Sequence, residues 1–90
     1  MRDEGEMSAL IDQIVRQLDT IISDTSVPKN VRGAVVEAKQ KLNEKGDYVV
    51  RVSSAIYHLD SISNDVNLPQ HARTMVWGAL SMLESIKTDD

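Results

Sequence analysis

The chain has 90 residues, with ten Lys and Arg against fourteen Asp and Glu, a net charge of -4, no cysteine and 41% hydrophobic residues. That length fits one domain around one aliphatic core; disulfides and thiolate metal sites are excluded, so stability must come from apolar packing. The acidic balance runs against a free-standing nucleic-acid binder, and the lack of a long apolar run or of a basic leader in MRDEGE leads to the expectation of a cytoplasmic protein with no membrane partner.

Four amphipathic helices are predicted in chain order. Met7, Leu10, Ile11, Ile14, Val15, Leu18, Ile21 and Ile22 recur with the period of one helical face, and Asp3 followed by Glu6 offers a capping box. The first helix is expected from about residue 4 to about Asp24. A second stripe, Val31, Ala34, Val35, Ala38 and Leu42, ends at Gly46, which suits the left-handed position beyond a helix. Asp47 can then cap a third helix with the stripe Tyr48, Val52, Ala55, Ile56, Leu59, Ile62 and Val66. The segment YVVRV has strand propensity, but the helical period continues through it and no second strand offers pairing. A fourth stripe follows at Ala72, Met75, Val76, Ala79, Leu83 and Ile86. Pro28 and Pro69 suit first turns, where the missing amide proton has no partner to lose, and Ser26 and Asn67 are the expected caps.

Residues 18–42 and 59–83 echo one another at a spacing of forty-one. Leu18, Asp19, Ile21, Asp24, Pro28, Arg32, Val35, Ala38 and Leu42 match Leu59, Asp60, Ile62, Asp65, Pro69, Arg73, Val76, Ala79 and Leu83. The shared unit is a helix, a turn with the pattern D-x-x-[VL]-P-x-x-[VA]-R, and a second helix. This gives two helical hairpins, at about 6–45 and 47–88. They hide their four stripes by closing on each other, so the expected fold is all-α, an up-and-down four-helix bundle forming a single domain over 1–90. An open two-repeat stack is the alternative.

The turn pattern is similar to that of a HEAT repeat. More closely, through "LDTIISDTSVPKNVRGAVVEAKQKL" and "LDSISNDVNLPQHARTMVWGALSMLESI", the whole chain resembles a small archaeal family of uncharacterised, UPF-type proteins of about this length. The resemblance implies an all-helical bundle in an archaeal cytoplasm. It supplies no catalytic residues.

Asp24, Arg32, Asp65 and Arg73 form the repeated charged set. As a functional site they would be paired acids or anion-binding arginines; as structure, each Asp accepts turn amides and the matching Arg reaches back to it. The habits of turn aspartates favour the structural assignment. His58 and His71 have no Cys and no second His three or four residues away. No glycine-rich phosphate loop, nucleophile elbow or His-Glu-x-x-His pattern occurs, so no metal, cofactor or catalytic residue is assigned.

Trp77 falls about 160° from the centre of the fourth stripe, with Leu80 between it and the core edge, while Val50 and Tyr57 face outward on the third helix. Val50, Tyr57, Trp77 and Leu80 are the expected partner-binding face, for a protein partner or a second copy of the chain. Scattered surface hydrophobes are the bland alternative. A different reading places RNA or the ribosome on the basic segment Lys29, Arg32, Lys39, Lys41, Lys45 and Arg51. The expected function is a non-enzymatic interaction or scaffold module.

Overall fold

Asp3 starts the regular structure: its carboxylate accepts the Glu6 amide at 2.8 Å, and Glu4 and Glu6 sit in the first turn, where the helix dipole favours negative charge. The computed structural model describes residues 3–88 and contains α1 (Glu4–Ile22), α2 (Lys29–Asn43), α3 (Tyr48–Asp60) and α4 (Gln70–Lys87), with no strand among those residues. Asp47 caps α3 by accepting the Val49 amide at 2.7 Å. Each helix turns its apolar stripe inward, and Ile14, Leu18, Val35, Leu42, Val52, Leu59, Val76 and Leu83 are fully buried. α1 packs on α2 and α4, and α3 packs on the same two helices, so the four close a ring around one interior. Short connections make successive helices antiparallel, giving an up-and-down bundle of 37 × 19 × 18 Å. The open stack does not form, because the contact between α1 and α4 covers the face it would expose.

The helix ends depart from the sequence pattern. The third stripe continues to Val66, yet α3 stops at Asp60 and Val66 is 90% exposed. Ser61 Oγ donates to the His58 carbonyl at 2.6 Å and Ser63 Oγ to the Asp60 carbonyl at 3.1 Å, so hydroxyls take acceptors at the end of the helix and favour a turn. Ile62 stays buried within that turn. α2 ends at Asn43, earlier than Gly46, and Gly46 then reverses the chain with φ 124°.

Ser26 and Asn67 do not cap α2 and α4. Asp24 Oδ1 accepts the Ser26 amide at 2.9 Å and the Ser26 hydroxyl at 2.6 Å, and Asp65 Oδ1 accepts the Asn67 amide at 2.8 Å. These groups belong to Asx turns that precede the helices. Pro28 and Pro69, both extended, stand at the N-cap positions with no side-chain bond. Val27 and Leu68 tuck beneath the turns into the core, their amides donating to the Asp24 and Asp65 carbonyls at 3.1 Å.

The arginines do not reach the aspartate carboxylates. Arg73 Nη2 donates to the Asp65 backbone carbonyl at 3.0 Å, and the Arg32 guanidinium makes no hydrogen bond among the described residues, its Nε being buried without a partner. The carboxylates are occupied from elsewhere: His71 Nε2 lies 2.6 Å from Asp24 Oδ2, and Asn30 Nδ2 donates to Asp65 Oδ2 at 3.5 Å. Asn30 and His71 are forty-one residues apart, as are Asp24 and Asp65. Each turn is therefore fastened to the first turn of the helix that starts the other hairpin's return, and both turns share one end of the bundle.

The hydroxyl of Ser26, then His71, then the Ser26 amide hold the Asp24 carboxyl down at about 2, from an ordinary 3.8. Ionised Asp24 thus contributes stability that is fully present above the ordinary value and is lost as pH falls toward about 2. The difference in urea midpoint between wild type and Asp24→Asn is expected to be constant near neutrality and to shrink below pH 4 or so; a difference that ignores pH would contradict this account. At Gly46 a Cβ would meet no atom within 4 Å, so only the backbone conformation penalises a side chain. Gly46→Ala is expected to lower stability by about 1–2 kcal/mol. Gly33→Ala, within α2 and equally uncrowded, should raise it by about 1 kcal/mol. Chemical denaturation of the two variants checks the opposite signs.

Candidate functional site

Trp77 follows the buried Val76, so the helical step of about 100° carries its side chain off the core. The indole is 48% exposed and walls a groove of about 270 Å³ between α3 and α4. Trp77, Leu80, Ser81 and Glu84 line it from α4, at the spacing of one helical stripe, and Ile56 and Asp60 line it from α3, one turn apart. Ile56 and Leu80 are buried and form the apolar floor. Leu80, expected between Trp77 and the core edge and counted with the partner face, is 4% exposed and belongs to the core edge, because the side of α4 it occupies is the side that packs on α3. The Asp60 and Glu84 carboxylates at the groove's rim are exposed, and neither accepts a hydrogen bond nor joins an ion pair among the described residues.

Val50 and Tyr57 lie outside this groove on the outer side of α3, 64% and 72% exposed. The Tyr57 ring meets His58 edge-on at 5.4 Å. The sequence thus leads to Trp77, Tyr57 and Val50 as surface residues, but not to Ile56, Asp60, Ser81 and Glu84 as the groove beside them. The repeat of 77, 80, 81 and 84 along one edge of α4 is the signal that points to it.

Three residues of the basic segment are engaged within the chain. Lys39 Nζ bonds Asp19 Oδ1 at 2.6 Å, Lys41 pairs with Glu44 at 3.3 Å, and Arg51 donates through Nε and Nη2 to the Leu42 carbonyl while its guanidinium lies 4.8 Å from the Tyr48 ring centre. Lys29 and Lys45 are exposed, beyond the start and end of α2's core stripe. The two histidines are apart, each facing one carboxylate: His58 Nδ1 lies 3.1 Å from Glu37 Oε2, and His71 faces Asp24. Among the described residues no three His, Cys, Asp or Glu side chains converge on a metal-sized site, and no helix is long and apolar enough to cross a membrane.

Comparison with known proteins follows the same outline. The model of the family described as "Uncharacterised protein family (UPF0147)" matches residues 1–86. A UPF0147 protein of Archaeoglobus fulgidus is 42% identical over 79 residues, covering 88% of this chain and 91% of its own length. One from Sulfolobus acidocaldarius is 46% identical over 88 residues, covering 90% and 99%. A crystal structure of the unknown-function protein MMP1188 superposes with a TM-score of 0.84 at 44% identity, over 90% of this chain and 93% of that one. A match along nearly the whole length, in sequence and in the arrangement of four helices, means that this chain belongs to the UPF0147 family.

Proposed function

We propose that the domain is a non-enzymatic protein-interaction module and that its α3–α4 side receives a protein partner. The observation that carries this reading is Trp77, the chain's single tryptophan, left half-exposed beside a groove with an apolar floor. Large aromatic side chains are the most frequent anchors of protein contacts, and a ready concavity lowers the cost of ordering one. Tyr57 and Val50 extend the apolar surface across the outer side of α3. The interior supports a scaffold role, being filled by aliphatic side chains with no catalytic constellation assigned.

The RNA reading draws less support. Lys39, Lys41 and Arg51 are committed within the chain, and Asp60 and Glu84 beside Trp77 would repel the phosphates of a strand stacking on the indole.

Random-peptide display selected on wild type and counter-screened on Trp77→Ala tests the proposal. Selected ligands are expected to bind the variant roughly thirty-fold more weakly, the loss typical of a hot-spot residue. The fold should survive, since the side chain is only half-buried. Ligands that bind both proteins equally, together with sedimentation unchanged by the substitution, would defeat the reading. RNA retained at low salt through Trp77 would move the surface to the other class.

A further inference from the structure

The first hairpin holds a second version of the α3–α4 seam, one that carries its own cation. Its groove, about 500 Å³ along α1 and α2, is lined by Val36, Lys39, Gln40 and Asn43, which stand forty-one residues before Trp77, Leu80, Ser81 and Glu84. In that seam Lys39 crosses from α2 to α1 and its ammonium bonds Asp19 at 2.6 Å. Asp19 is the counterpart of Asp60. In the second hairpin the carboxylate persists while the lysine is replaced by Leu80, so Asp60 meets no cation among the described residues. Trp77, in the place of Val36, adds an aromatic wall, and Glu84, in the place of Asn43, adds a second negative charge.

We infer that the α3–α4 groove takes a lysine-bearing protein segment, whose ammonium meets Asp60 and Glu84 while a neighbouring apolar side chain lies over Ile56 and Leu80 against Trp77. This rests on the interaction-module reading and names the partner's chemistry. The Lys39–Asp19 pair sets the pattern for the polar half, with the cation arriving from outside the chain instead of from within it. A long aliphatic stem ending in a point charge suits a seam with an apolar floor and an acidic rim. Attraction over the indole face adds to the ion pairs where the ammonium passes close to it.

The test uses a synthetic peptide of alternating Leu and Lys and a control with Gln at every Lys, titrated into the full chain while the emission of Trp77 is followed. The Leu/Lys peptide is expected to perturb the emission and to bind at least roughly tenfold more tightly than the Gln control. Asp60→Asn should weaken binding by roughly three- to tenfold, a partly desolvated ion pair's worth. Asp12→Asn removes the same charge from the outer face of α1 and should leave affinity unchanged, separating the groove from general attraction to an acidic protein. Leu80→Lys rebuilds the internal pair of the first hairpin against Asp60 and should abolish binding while far-UV circular dichroism stays helical. If that variant unfolds, the Asp60→Asn and Asp12→Asn pair still decides the matter. Equal binding of the two peptides, or equal effects of the two Asn variants, overturns the inference. Trp77-dependent display ligands that lack Lys would overturn it while leaving the interaction reading intact; display ligands indifferent to Trp77 would remove both.

Discussion

Reciprocal fastening of the two interhelical turns sets the geometry on which the rest depends. A cysteine-free chain of 90 residues can close a core only if four amphipathic helices cover one another. Asp24 and Asp65 each shape their own turn through one carboxylate oxygen and reach the other hairpin through the second. With the turns pinned together, α2 and α4 leave the same end of the bundle side by side with their partners, and Val27 and Leu68 plug the interior beneath them. The grooves between α1 and α2 and between α3 and α4 then differ in the residues that line them.

Within this frame the two hairpins share their interiors and differ at their edges. Val35 and Val76, Ala38 and Ala79, and Leu42 and Leu83 are equally buried. The differences collect where α2 and α4 meet their preceding helices: Lys39 against Leu80, Val36 against Trp77, Asn43 against Glu84. One seam carries its own cation, while the other carries an indole and two carboxylates that meet no cation among the described residues. Physical chemistry alone does not require this asymmetry, since the first seam shows that an internally satisfied version folds in the same bundle.

Much of this was legible in the sequence. The stripes gave the four helices and the interior, because a period of 3.6 residues leaves an unmistakable pattern over four or five turns. Asp3 and Asp47 marked helix starts through chemistry confined to a few neighbouring residues, and Gly46 marked the chain reversal after α2. A wheel drawn for α4 put Trp77 outside and Leu80 between it and the core edge, but gave no direction for the adjoining helix, which buries Leu80. The end of α3 was missed because Ile62 and Val66 keep the helical period, while Ser61 and Ser63 hydroxyls bond the His58 and Asp60 carbonyls in the turn that follows the helix. The partners of Asp24 and Asp65 lie 47 and 35 residues away, a juxtaposition that no local rule supplies. Arginine was the natural local partner; histidine and asparagine from the opposite hairpin took its place.

Under the proposed reading, the Lys39–Asp19 bridge also bears on valency. A bundle with two equally open seams could hold a ligand on each flank and link its partners into chains or networks. Here the first groove carries its own cation, so under the proposed reading a lysine-bearing segment has a seat only at the second, and each polypeptide would end an assembly instead of extending it.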